Sequence, residues 1–276
     1  MSKSKSGFLT LAIMALLVWY LPSTKIDPWN LLNLKKIATM IFALAFIQIF
    51  SSAISRILNA RAGALLTGFL GGLVSSTATT AALAKKSKTS NTSDQQIEIL
   101  VFLSATAAML IEGCVFVLSS DTHLRSISIL FLGPLLATGI MIYLYSRNLN
   151  IEISETKEIS FKIMPILKLT IFIVSIILLS KLLQNLFGKN GIMILTFLVS
   201  LFEIHGSIIA NVQLAENGVF TIEHLSILLA ISIVASYVSK IFLVSALGSK
   251  DLRKKSIQST FFIFLSLLVS WMVLTK

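Results

Sequence analysis

Nine apolar runs follow one another along this 276-residue chain, separated only by short polar links. A bilayer hydrocarbon core about 30 Å thick is crossed by roughly 20 mostly apolar helical residues, and most of the runs approach that length. They are Phe8 to Leu21, Ile37 to Leu58, Ala62 to Ala84, Ile97 to Leu118, Ile127 to Tyr145, Ile163 to Leu183, Gly191 to Leu214, Leu225 to Leu247 and Ile257 to Leu274. Open sheet edges cannot stand in hydrocarbon, and the runs are too long and too unalternating for barrel strands. The chain is therefore expected to be all-α, a polytopic helical bundle in one membrane domain spanning residues 1–276. Only 13% of residues are charged, against roughly 25% in soluble domains, so water is not the main solvent.

The net charge of +11 does not point to nucleic acid. Lys and Arg stand in short clusters between apolar runs, with no basic face interleaved with aromatics, and read as topology signals and lipid-headgroup contacts. The lipid bilayer is the partner this pattern implies, and a homo-oligomer is compatible with it. Cys114 is the one cysteine, which excludes an intramolecular disulfide and a thiolate cluster. Met1 to Ser6 with the following short apolar run has the shape of a signal peptide, but Pro22-Ser-Thr-Lys25 offers no small-x-small cleavage site. The run is expected to remain as a first helix.

Shifting the sequence by 128 positions lays residues 37–118 on residues 165–246 without a gap. Leu58 to Gly63 (LNARAG) then faces Leu186 to Gly191 (LFGKNG), Phe69-Leu70 faces Phe197-Leu198, Ser104 faces Ser232, and Glu112 faces Lys240. The constant register across helices and loops argues for an internal duplication. It divides the chain into an N-terminal helix and loop (1–36), a first repeat (37–162) and a second (163–276).

Two topologies compete. If every run spans, Lys3, Lys5, Arg56, Arg61, Arg125, Lys189, Lys250, Arg253, Lys254 and Lys255 fall on the N-terminal side. Lys25, Lys35, Lys36, Lys85, Lys86, Lys88, Arg147, Lys157, Lys162 and Lys276 then fall opposite, a tie of ten against ten. If the third and seventh runs instead re-enter as broken helices, the count becomes fourteen against six with the N-terminus inside. That is the ordinary positive-inside bias, and three spans per repeat would make the repeats inverted. Both runs are also long enough to cross.

The most distinctive stretch is Thr67 to Lys88, TGFLGGLVSSTATTAALAKKSK, where Gly68, Gly72, Ser76, Thr80 and Ala84 recur every fourth residue. One reading is a helix-packing face of small residues. The other makes Ser75, Ser76, Thr77, Thr79 and Thr80 oxygen ligands for an ion or solute, with the glycines permitting an unwound backbone. At the offset of 128, Glu203 occupies the place of Ser75 and His205 that of Thr77. A carboxylate costs roughly 2.5–3.5 kcal/mol at a membrane-helix centre, so Glu203 should face protein or a watery cavity. Glu203 and His205 lie on different helix faces unless the backbone breaks there; a zinc site is not expected, a proton-carrying pair is compatible. Glu112 and Lys240, opposite in charge and matched in repeat position, are read as a buried pair, either structural or coupling. His123 and His224 stand beside loops and are expected to be solvated. No G-x-S-x-G, no H-E-x-x-H and no cofactor motif occurs, so neither an enzyme nor a nucleotide or redox cofactor is expected.

The run TGFLGGLVSSTATTAALAKKS closely resembles the signature of the C-terminal membrane domain found in many MgtC/SapB-type bacterial proteins, domain-of-unknown-function family four-thousand-and-ten. The similarity extends from Phe8 to about Leu274. The chain departs from the family pattern at Glu203 and His205, where two aspartates are usual, and at Glu112, where an arginine is expected; Lys240 resembles the family's lysine. The resemblance implies a multi-pass protein of the bacterial inner membrane linked to magnesium or other ion homeostasis. It also implies a separately encoded MgtC-like partner, because the chain opens without the MgtC-like domain that often precedes this one. The leading functional expectation is an ion or small-solute transporter with its site formed by Ser75 to Thr80 and Glu203 to His205. The alternative is a non-transporting regulator that binds another membrane protein through the small-residue face of Gly68 to Ala84.

Overall fold

The computed structural model describes residues 2–22, 63–88, 94–147 and 163–274, with scattered positions between 33 and 46. Most of the expected span Ile37 to Leu58, the LNARAG segment before Gly63 and the link after Arg147 lie outside the described residues. The regular elements are helices: α1 (Ser2–Tyr20), α2 (Gly63–Ser87), α3 (Asp94–Leu118), α4 (Ile129–Ser146), α5 (Ile163–Ser200), α6 (Ile204–Glu216), α7 (Ile222–Leu247) and α8 (Lys250–Leu274). A 3-10 helix, Thr122–Ser128, leads into α4. Among the described residues, five segments are long and apolar enough to cross a membrane: Leu65–Ser87, Ile97–Leu118, Thr122–Ser146, Ile222–Leu247 and Lys250–Leu274. The all-helical, multi-span class expected from the sequence is what the chain adopts.

The chain forms two compact units, one of residues 1–50, 115–127 and 160–235, the other of residues 51–114, 128–159 and 236–276. In the second, α2 lies against α3 at Gly68 and Gly72. Gly68 and Gly72 are buried; a Cβ on Gly72 would stand 2.5 Å from Ala105 Cα and 2.6 Å from its carbonyl oxygen, and one on Gly68 would strike the Val101 carbonyl. Only glycine allows this backbone-to-backbone approach, which in lipid replaces hydrophobic attraction as the source of helix association. The same device recurs where α4 meets α8: Gly133 faces Ser266 and Ser270, and its N–H donates to Ser270 Oγ at 2.9 Å. Ser249 N–H donates to Ser87 Oγ at 2.8 Å, tying the start of α8 to the end of α2.

In the first unit, α5 breaks at Gly188, whose φ of 58° and ψ of −146° only glycine adopts without strain. A second arm, Asn190–Ser200, follows. The sequence reads Gly191 to Leu214 as one segment, but helix is interrupted between Ser200 and Ile204. The cause is local: the Glu203 carboxylate caps the new helix by accepting the His205 N–H at 3.1 Å, a side-chain bond that competes with helix continuation. From Ile204 to Ala215 every residue of α6 is buried, the pattern of a central helix rather than an amphipathic one. The Asp121 N–H donates to Glu216 Oε1 at 2.9 Å beyond its far end.

Overpacking a tight core costs about 1–3 kcal/mol. Gly72→Val is expected to lose about that much, read as a lowered thermal unfolding midpoint in detergent. Gly139→Ala, where a Cβ meets nothing within 4 Å, should leave the midpoint unchanged.

Candidate functional site

Among the described residues, two apolar segments are interrupted inside their hydrophobic stretch. In α2 the break falls at Ser75, with φ −168° and ψ 104°; between α5 and α6 it falls at Glu203, with φ −146° and ψ 95°. Each extended residue opens the helix that follows it, and each caps it with its own side chain: Ser75 Oγ accepts from Ala78 N–H at 3.2 Å, and Glu203 Oε1 from His205 N–H at 3.1 Å. Serine is a favoured N-cap, and a carboxylate there also opposes the positive end of the helix dipole. Ser75 and Glu203 are the two residues that the 128-position offset superimposes.

Around Ser75, Gly68, Gly72, Ser76, Thr80 and Ala84 are all buried, Gly68 and Gly72 against the backbone of α3, and the helix is broken at Ser75, between Gly72 and Ser76. Thr80 Oγ1 donates to Ser76 O at 2.8 Å. Thr79 lies over Gly71, where an added Cβ would come within 2.8 Å of its Oγ1. Ser75, Thr77 and Thr79 are half-buried, leaving three hydroxyl-bearing residues off the packed face.

Around Glu203, the break brings together what a continuous helix would separate. His205 Nδ1 stands 3.1 Å from Glu203 Oε1, and the imidazole packs edge-on against Phe116 with ring centres 5.9 Å apart. Below it, Glu203, Ser207 and Asn211 follow at four-residue spacing along one face of α6. Ser207 Oγ lies 3.2 Å from Ser232 Oγ on α7. Asn211 joins Thr196 on the preceding arm, its Nδ2 donating to Thr196 Oγ1 at 3.2 Å and its Oδ1 accepting from the same hydroxyl at 3.4 Å. Thr196, Ser207, Asn211 and Ser232 are all buried. Sequence reading passed over this line of oxygens, although counting polar residues at i+4 from Glu203 would have found Ser207 and Asn211. Ser200 Oγ and both amide atoms of Gln213 are buried with no hydrogen-bond partner among the described residues.

Glu112 on α3 and Lys240 on α7 each have no exposed surface. Lys240 Nζ donates to Ser236 Oγ at 2.6 Å and to Met109 Sδ at 3.1 Å, and stands 5.9 Å from the Tyr237 ring centre. Met109 precedes Glu112 by one helical turn on the same face, so the Lys240 ammonium reaches α3 within a turn of that carboxylate. His224, at the start of α7, bonds Thr221 Oγ1 at 2.7 Å and has no part in either cluster. Among the described residues no three His, Cys, Asp or Glu side chains gather closely enough to hold a metal ion.

These features define a multi-span helical membrane protein with discontinuous helices and polar residues inside its apolar segments. A family model described as Domain of unknown function (DUF4010) matches residues 42–248, and the chain belongs to that family. No curated protein and no solved structure matches it.

Interhelical hydrogen bonds in membrane proteins contribute about 0.6 kcal/mol on average and up to about 2. A double-mutant cycle on Asn211→Leu and Thr196→Val is expected to give a coupling of about 0.5–1.5 kcal/mol in detergent unfolding. Additive single effects would mean that the pair is not joined.

Proposed function

We propose that the chain is a transporter for a small inorganic cation or the proton. The observation that carries this reading is the carboxylate at a helix break: Glu203, in extended backbone, followed by buried oxygens on α6. Irregular backbone at membrane depth is tolerated only where protein covers it or water lines it, and broken helices are where many transporters hold their ions. Glu203 supplies the negative charge. His205, 3.1 Å away, is a side chain able to carry a proton. Thr196, Ser207 and Asn211 offer the neutral oxygens that hard cations prefer. Ser75, Ser76, Thr77, Thr79 and Thr80 serve the other broken helix in the same way. The buried, unpartnered oxygens of Ser200 and Gln213 support a hydrated or ligand-bearing interior, because a purely structural network would satisfy them.

In this reading Glu112 and Lys240 form a buried pair that couples the halves of a duplicated protein. Removing one partner of such a pair leaves an uncompensated charge and costs about 3–5 kcal/mol. The setting is the bacterial inner membrane, with a link to magnesium or other ion homeostasis and a separately encoded MgtC-like partner, all of which rest on the resemblance to MgtC/SapB-type proteins. No catalytic step enters the mechanism. The regulator reading has less support, because Gly68 and Gly72, the glycines of the face it would offer to a partner, are already packed against α3.

The test is flux into proteoliposomes of the purified full chain under imposed Na+, K+, Mg2+ and proton gradients. At least one gradient should drive uptake, and Glu203→Gln should cut it at least tenfold without lowering the unfolding midpoint. Flux from none of the four, or full flux in Glu203→Gln, overturns the proposal.

A further inference from the structure

We infer that α2 and the pair formed by the Asn190–Ser200 arm with α6 are re-entrant hairpins, each leaving the membrane on the side it entered. The inference goes beyond the transport reading and stands or falls without it.

Two short contacts carry it, one in each unit. Gly71 and Thr79 are eight residues apart, about 12 Å along a straight helix at 1.5 Å per residue. Yet a Cβ on Gly71 would lie 3.6 Å from Thr79 Cβ and 2.8 Å from its Oγ1. The two arms of α2 therefore fold back on each other at Ser75. Thr196 and Asn211 are fifteen residues apart, about 22 Å along a straight helix, yet their side chains hydrogen-bond at 3.2 Å. The chain therefore reverses between Ser200 and Ile204.

Arm length supplies the next step. The arms on either side of Ser75 (63–74 and 76–87), the Asn190–Ser200 arm and α6 (Ile204–Glu216) each reach about 16–20 Å, well short of a hydrocarbon core of about 30 Å. None crosses alone, and a folded-back pair does not cross together. Length and composition mark Leu65–Ser87 as a candidate span, but the reversal at Ser75 withdraws it from the crossing set.

The distribution of charge along the chain points the same way. With both segments crossing, Lys and Arg divide ten against ten. With both re-entering, the division becomes fourteen against six with the N-terminus inside, which is the usual cytoplasmic excess. The extended residues Ser75 and Glu203, each capping the helix that follows, also occupy equivalent places at the 128-position offset. A duplicated hairpin accounts for that coincidence.

The experiment places single cysteines at Ser90, Ser126 and Glu223 in the full-length chain carrying Cys114→Ala. Each is labelled in intact cells and in inverted membrane vesicles with a membrane-impermeant maleimide. Monodisperse elution in detergent confirms that each variant is folded; Ser126 and Glu223 are exposed, so substitution is tolerated. The expected result is Ser90 on the N-terminal side, with Ser126 and Glu223 both opposite. Ser90 opposite and Ser126 on the N-terminal side would show the first segment to cross and overturn the inference. Glu223 on the N-terminal side would mean that only one of the two segments re-enters, which also overturns it.

Discussion

The fold turns on the demand that every backbone N–H and C=O inside hydrocarbon find a partner within the protein. A continuous helix meets that demand automatically; an interruption does not, and each unsatisfied group costs several kcal/mol. The interruptions at Ser75 and Glu203 each come with their own compensation. Ser75 Oγ takes the Ala78 N–H, Glu203 Oε1 takes the His205 N–H, and the turn before Glu203 keeps bonding backward, with Glu203 N–H donating to Val199 O at 2.9 Å. A break that is capped is a built feature rather than a defect.

What surrounds the breaks follows from the same demand. Apolar side chains gain nothing by leaving lipid for one another, so close contact must come from small residues and buried hydrogen bonds. Gly68 and Gly72 bring α2 onto the backbone of α3, and Gly133 brings α4 onto α8. The hydroxyls of Thr80, Thr138 and Ser120 turn back to carbonyls of their own helices. Lys240 is the extreme case, a fully buried ammonium held by a serine and a thioether. A charge that deep has to be anchored from several directions or it would lose its proton or drag the helix out of place.

Spans were legible in the sequence because their signal is a sum over about twenty residues, which no single side chain can hide. The close approach at Gly68 and Gly72 was legible as the start of a four-residue period of small residues, but that period is not one continuous face, because the helix breaks at Ser75. The reversals were not. Gly191 to Leu214 reads as one apolar run because the turn at Leu201 and Phe202 is itself apolar, lacking the glycine, proline or asparagine that mark turns in water. The positive-inside count and the expense of Glu203 hinted at the break there, without deciding between crossing and re-entry. The pairing of Glu203 with His205 was correspondingly ambiguous, since residues two apart diverge on a helix and converge only when one is extended. Thr196 escaped notice because its partner, Asn211, becomes a neighbour only after the chain turns back.

The two breaks share a place in the proposed duplication but not a chemistry. Ser75 caps its helix with a neutral hydroxyl and is followed by threonines; Glu203 caps its helix with a carboxylate and is followed by a histidine. A carboxylate at a helix start is stabilised by the dipole whether or not a ligand arrives. A hydroxyl can only supplement a charge supplied elsewhere.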